Sequence, residues 1–294
     1  MNGYLNKLLQ TESVDYVIAS DTDSIYLNLG PLVDKFLSSR SGDKTKVVEL
    51  LDKVCQDKLE PFIERSYTEL ADYVQAYEQK MIMKRENIAE RGIWTAKKRY
   101  ILNVWNSEGV QYSEPKLKVM GIEAVKSSTP APCRQMIKDG LKLMMNGTEE
   151  DVIEFIDKCR VEFKALPPEQ IAFPRTVSDV RKYHSHSSIY SKGTPIHARG
   201  ALLFNHYIKD KKLTNKYSLI ANGEKIKFLY LKKPNIIQEN VISFIQDFPH
   251  ELGLDKYIDY DLQFEKSFVE PLKAILDAIG WNVEKTVNLE LFFA

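Results

Sequence analysis

The sequence predicts an α+β fold in two parts, and three observations carry that expectation. One stretch, 14–29, is two β-rich runs separated by a polar centre, and another, 81–124, alternates as strands do, which reads as hairpin-connected strands. Others, at 44–78, 131–164 and 261–280, space their apolar residues three and four apart, as helices do. Composition breaks near Lys126, which divides a sheet-and-helix part, 1–126, from a mainly helical part, 127–294.

The elements follow in chain order. VDYVIASDTDSIYLNL (14–29) is two β-rich runs around Asp21-Thr22-Asp23-Ser24, a hairpin with its acidic pair at or near the tip. Val47, Val48, Leu51, Val54, Leu59, Ile63 and Leu70 have helical spacing, and Pro61 is expected to open a second helix. MIMKRENI and RYILNVW read as strands, with a Glu108-Gly109 turn after the second. Ser127-Ser128-Thr129-Pro130 starts helices expected at 131–146 and 149–164, the latter ended by Leu166-Pro167-Pro168. Residues 171–235 read as mixed and loop-rich, with Asn222-Gly223 as a hairpin turn before KIKFLYL. In the helix expected over 261–280, Phe264, Phe268, Leu272, Ile275 and Ile279 share a face and Gly280 is the stop.

The 294 residues suffice for a sizeable core, and 44% apolar with 28% charged residues argues against disorder. No apolar run approaches the roughly 18 residues of a membrane helix, and MNGYLNKLLQTESVDY lacks the apolar centre of a signal peptide. No membrane partner is expected. Cys55, Cys133 and Cys159 are odd in number and far apart, which suits a reducing cytosol rather than a disulfide framework or a zinc site. His184 and His186, in a Ser-rich stretch, read as solvated, with no third metal ligand evident.

Net charge is zero, but unevenly distributed. Residues 1–80 carry −5, 81–170 carry +2, 171–235 carry +10 and 236–294 carry −7. A block at +10 is a candidate surface for a polyanion, with a merely solvated lysine-rich region as the plainer alternative. Asp21 and Asp23 are the sharper signal. On a strand, spacing of two sets both carboxylates on one face. Two carboxylates held close resist joint ionisation unless a cation sits between them. Hard oxygen donors suit Mg²⁺, which binds through one or two carboxylates plus substrate phosphates. An Asp-x-Asp alone also occurs in turns and in metal-dependent glycosyltransferases.

YVIASDTDSIYL resembles the third signature motif of family B DNA polymerases, a DTDS hairpin in the palm domain. The resemblance assigns Asp23 to the catalytic metals and Asp21 to a supporting role beside it. Trp94-Thr95-Ala96-Lys97-Lys98-Arg99-Tyr100 resembles that family's KKRY motif, so Lys97, Lys98, Arg99 and Tyr100 would hold primer–template DNA. The chemistry suits this, since lysines meet phosphates and base-edge acceptors and an aromatic ring offers a flat apolar contact. MIMKRENI resembles the strand supplying a further carboxylate, here Glu86, although Lys84 stands where the phage group has an acidic residue.

Across the chain the resemblance is to the replicative polymerases of T-even-like phages. PKLKVMGIE (115–123) and KSSTP (126–130) are similar to the palm-to-thumb passage, and PIHARG (195–200) to a thumb motif near the duplex. By that likeness Lys126, His197 and Arg199 would meet the DNA backbone. The tail VNLELFFA is similar to the segment that grips a sliding clamp, with Leu289, Leu291, Phe292 and Phe293 as anchors.

The resemblance implies part of a palm, 1–126, followed by a thumb, 127–294. It implies Mg²⁺ as cofactor, deoxynucleoside triphosphates as substrates, and the cytoplasm of an infected bacterial cell as the place of action. The N-terminal domain, exonuclease, first palm motif and fingers have no counterpart in these residues. The isolated chain is therefore expected to need an N-terminal polymerase portion for nucleotidyl transfer. On that resemblance it is expected to be one subunit of a split enzyme or a truncated reading frame, with the sequence favouring neither. A noncatalytic, clamp-tethered DNA-binding remnant is the alternative reading, and a glycosyltransferase a distant third.

Overall fold

A computed structural model describes residues 1–36, 43–178, 180–183 and 188–284. The fold is α+β, with three small sheets among the helices. The chain divides into two compact units, Met1–Gly92 with Ile101–Lys118, and Ile93–Tyr100 with Val119–Ala294.

The first unit opens with α1 (Asn2–Leu9), then β1 (Val17–Ser20), β2 (Ile25–Leu27) and α2 (Gly30–Phe36). β1 and β2 pair antiparallel, as two β-rich runs around a polar centre predict. Their register slips between Val17 and Ala19, leaving Ile18 as the extra residue of a β-bulge and half-exposed. Leu5, Leu9, Tyr16, Leu32 and Leu59 form the buried cluster beneath the hairpin.

α3 (Lys44–Val54) and α4 (Glu60–Tyr73) are not the separate helices expected from Pro61. A π-turn, Cys55–Leu59, joins them into one continuous run. Proline lacks an N–H, and its ring collides with the carbonyl four residues back. Widening the preceding turn, so that the Glu60 N–H reaches the Cys55 carbonyl five residues back, lets the helix pass through Pro61.

The strand expected at MIMKRENI is also corrected. Residues 81–86 are irregular, and β3 begins at Asn87 (Asn87–Ala96). The reason is Arg85, whose backbone N–H donates to Glu60 Oε1 and whose side chain is claimed by helix α3, so this backbone bonds to helix side chains instead of a ladder. β4 (Arg99–Ser107) and β5 (Val110–Met120) complete a sheet in the order β3-β4-β5. The Glu108-Gly109 turn lies where the sequence puts it, with left-handed φ at both residues.

In the second unit, α5 (Ala131–Asn146) and α6 (Glu149–Lys164) keep the expected bounds. Thr148 and Asp151 form a capping box at the start of α6. A short α7 (Pro168–Ile171) precedes β6 (Phe173–Thr176), which pairs with β7 (Lys225–Tyr230), and β7 pairs with β8 (Val241–Phe244). The loop-rich expectation for 171–235 is corrected by α8 (Ile196–Asp210), a 15-residue helix packed on β8. Asn222-Gly223 does turn the chain into β7, but no tight hairpin results, because β6 and β7 are joined through α8. α8 lies so close to β8 that a Cβ on Gly200 would stand 2.4 Å from Ser243 Oγ.

The final helix is again two segments, α9 (Tyr260–Phe264) and α10 (Glu270–Ile279), fused by a π-turn at Glu265–Val269 just before Glu270-Pro271. The extra residue per turn rotates the buried face. Val269 and Leu276 join Phe264, Phe268, Leu272 and Ile275 in the core, while Ile279 is only half-buried. Among the described residues, no helix is long and apolar enough to cross a membrane. None of the three cysteines is in a disulfide, and burial pushes the Cys55 and Cys133 thiols up to about 11 and Cys159 to about 12.

Candidate functional site

The acidic pair is mounted by α1. Asn2 Oδ1 accepts the N–H groups of Tyr16 (3.1 Å) and Val17 (2.9 Å). Asn6 Nδ2 donates to the Val14 carbonyl (2.8 Å), and Asn6 Oδ1 accepts the Val14 N–H (3.0 Å). Asn2 and Asn6 lie one helical turn apart, so one face of α1 replaces a missing strand neighbour for 14–17. Tyr16, buried below, donates to or accepts from Thr11 Oγ1 at 2.9 Å.

Beyond this mount the chain turns tightly. The Asp21 N–H donates to the Ser24 carbonyl (2.9 Å), and Asp21 Oδ1 accepts the Thr22 N–H (2.9 Å). Asp21 and Asp23 therefore belong to a four-residue turn between β1 and β2, not to a strand face, which corrects the geometric premise of the sequence argument. The backbone bond from Asp21 to Ser24 closes the turn, and the Asp21 carboxylate holds the Thr22 N–H inside it. Asp23 is exposed and Asp21 half-exposed, so the turn offers hard oxygen donors at the surface. That donor set suits Mg²⁺, which needs only one or two carboxylates when phosphates complete its shell. Among the described residues, no group of three or more His, Cys, Asp or Glu is placed to hold a metal alone.

Glu86 sits one residue before β3, and its Oε1 accepts from Lys118 Nζ (2.5 Å) and Asn87 Nδ2 (2.9 Å). The bond from Lys118 is the main reason its carboxyl is held below the ordinary range, against slight burial. Its backbone is fixed by Arg85, a residue no sequence signal marks. Arg85 donates through Nε and Nη2 to Asp52 Oδ1 (2.8 and 2.5 Å) and through Nη1 to Asn106 Oδ1 (2.6 Å), with its side chain only 9% exposed.

In the second unit, Lys97-Lys98 is the two-residue loop joining β3 to β4. Both lysines are exposed, and Lys98 takes a left-handed φ of 61°. Gly121 packs under this loop, and a Cβ there would stand 2.3 Å from the Lys98 carbonyl oxygen. Arg99 faces inward and bonds Glu123 (2.9 Å), which also accepts from Lys126 (2.8 Å). Burial raises the Glu123 pKa, but the bond from Lys126 and the charge of Arg99 outweigh it and hold the group low. Tyr100 lies 6.3 Å, ring to ring, from Trp94. Thus Lys97 and Lys98 face solvent, while Arg99 and Lys126 share one carboxylate.

His197 and Arg199 occupy the first turn of α8 and are half-buried. Burial, then the charge of Arg175, lowers the His197 pKa and favours the neutral imidazole. Arg199 donates to Asn240 Oδ1 (2.6 Å) and lies 5.7 Å from the Tyr190 ring centre. Arg175, which the sequence argument missed, donates to the carbonyl of Ser128 (2.8 Å).

Part of the +10 block is neutralised within the unit. Lys216 pairs with Glu251, and Lys232 stands 3.9 Å from Asp261, both acids of the −7 segment. Leu289, Leu291, Phe292 and Phe293, and likewise His184 and His186, lie outside the described residues.

No family model matches the sequence. Two curated proteins do. The chain is 31% identical over 305 aligned positions, covering all of it, to the DNA-directed DNA polymerase of Enterobacteria phage T4. It is 34% identical over 302, covering 98% of it, to the DNA-directed DNA polymerase of Escherichia phage RB69. The chain spans about a third of the length of either relative. Its resemblance to the T-even-like phage DNA polymerases thus extends from end to end of the chain, and the chain is a relative of a one-third portion of those enzymes.

Proposed function

We propose that this chain supplies the C-terminal part of the palm (1–126) and the thumb (127–294) of a DNA-directed DNA polymerase, acting in the cytoplasm of an infected bacterial cell. Nucleotidyl transfer then requires the remaining two thirds of the enzyme. One observation carries the reading: the entire chain aligns with a third of two DNA-directed DNA polymerases. The exposed turn at 21–24 on its braced hairpin supports it.

Asp23, aided by Asp21, would hold Mg²⁺, with further ligands from triphosphate and from the remainder of the enzyme. The chemistry supplied by a divalent ion in such a site is activation of the primer 3′-hydroxyl and neutralisation of charge on the departing pyrophosphate. Glu86, neutralised by Lys118, would order the surroundings of the acidic turn. Lys97 and Lys98 would contact phosphates or base edges of primer–template DNA, with Tyr100 as a flat contact and Arg99 fixing the loop through Glu123. Lys126, His197 and Arg199 would meet the backbone of the duplex, His197 as a neutral donor or acceptor. Leu289, Leu291, Phe292 and Phe293 would insert into a groove of the sliding clamp.

A second reading, a noncatalytic DNA-binding remnant, draws on one observation: Glu86 is already paired with Lys118. Primer extension separates the two. The chain is mixed with the remaining two thirds of the RB69 enzyme, primed template, deoxynucleoside triphosphates and Mg²⁺. Template-directed extension by the mixture, and by neither part alone, is expected. Asp23→Ala should lower it by about 100-fold or more while leaving DNA affinity largely intact. Extension by the chain alone would refute the proposal. DNA binding without extension in the mixture would favour the remnant.

A further inference from the structure

The first unit displays an apolar surface that none of the roles above uses. Helix α4 is 14 residues long and buries none of them fully. Leu70 and Tyr73 on its last turn, Val74 at its cap and Tyr77 in the loop beyond make one apolar run, and all are exposed, Tyr73 to 85% and Tyr77 completely. Met81 and Ile82 continue it, Ile82 at 81% exposure. Scattered exposed apolar residues are ordinary, but six large ones within 13 positions mark an interface.

The surface is held in shape. Past Tyr73 the Ala76 N–H donates to the Ala71 carbonyl (2.8 Å) and the Gln75 N–H to that of Asp72 (3.1 Å), a Schellman cap with Gln75 in the left-handed position. The Gln79 side chain then clasps Met81, donating to its carbonyl (2.9 Å) and accepting its N–H. An ordered display loses less entropy on docking than a loose loop. Glu69 and Asp72 flank the run and are exposed, while Glu78 is paired with Lys80 (3.0 Å), so the first two favour a groove with a basic rim.

We propose that this surface, from Leu70 to Ile82, is the seat on which the remaining two thirds of the polymerase docks. The inference rests on the reading above. The occupant follows from the match, which runs through the segment yet leaves two thirds of each relative without counterpart in this chain. Aromatic side chains, here Tyr73 at the helix end and Tyr77 just past its cap, are the residues that dominate such contacts.

The test mixes the chain with the portion of the RB69 polymerase outside the matched third, and separately with that of T4. Association is followed by sedimentation, and the accessibility of Tyr73, Tyr77 and Met81 by hydroxyl-radical labelling. Both aromatics and Met81 should become protected in the complex. The variant Tyr73→Ser/Tyr77→Ser/Ile82→Ser, with unchanged circular dichroism, should bind about 100-fold more weakly. Four results would overturn the proposal: no association with either portion; a complex in which the three residues stay reactive; protection already complete in the isolated chain; or self-association that the variant abolishes. Association through this surface without primer extension would keep the seat and remove the catalytic reading. Extension that the variant leaves untouched would do the reverse.

Discussion

Arg85 ties two elements together with one guanidinium, Asp52 on α3 and Asn106 on β4, and also holds the carbonyl of Glu86 just before β3. Its removal would leave Asp52 partly buried without a counter-charge. Arg85→Ala should therefore destabilise the protein by about 3–5 kcal/mol, and the double variant Arg85→Met/Asp52→Asn by less, as read from urea unfolding. Gly121 is as tightly constrained. A Cβ would meet the Lys98 carbonyl at 2.3 Å, and φ is +68°. Gly121→Ala should cost about 2 kcal/mol or more and weaken DNA binding by displacing the Lys97-Lys98 loop. Glu123 gives a pH test. Its folded pKa is depressed, so its contribution is complete above the ordinary value of 4.5 and is lost as pH falls below it through the folded value. Glu123→Gln should flatten that acid limb of a stability–pH curve. The hairpin turn that carries Asp21 and Asp23 was legible because β-rich runs and a polar turn between them are local signals. Arg85 and Arg175 were not, because their partners lie 33 and 47 residues away.

Both π-turns precede a Glu-Pro pair, Glu60-Pro61 and Glu270-Pro271. A proline reads in sequence as a break, yet both helical runs continue, and the chain absorbs the proline by widening one turn. Helices α5 and α6 were legible because each carries its own start signal, Pro130 for one and the Thr148 capping box for the other. Helix α8 was not. It buries Ala198, Gly200, Ala201, Leu202, Leu203, Phe204 and Ile208, so the alternation that betrays a half-buried helix is blurred. At the end of α4, a left-handed position is filled by Gln75 rather than glycine. Gln75→Gly should stabilise the cap by about 0.5 kcal/mol, strain relief being offset partly by unfolded-state entropy, which thermal unfolding would register.

Over the whole molecule the net charge of zero separates into opposed blocks, and the fold sets some of them against each other. Part of the +10 segment is thus paired within the fold, and Lys97 and Lys98 lie outside that segment. Lys97→Ala/Lys98→Ala should therefore lower the slope of log affinity against log salt by about 2, one step for each phosphate no longer neutralised, as measured by fluorescence anisotropy on a primed duplex. What the sequence alone determined was the α+β class, the acidic hairpin, the paired helices and a likeness to the phage polymerases, all of which rest on local periodicity or contiguous motifs. What only the tertiary structure decided was how charges cancel, which carboxylates are already partnered, and how helices continue through prolines. Those outcomes depend on groups brought together from distant positions, and no local pattern encodes which of the many available partners a folded chain will choose.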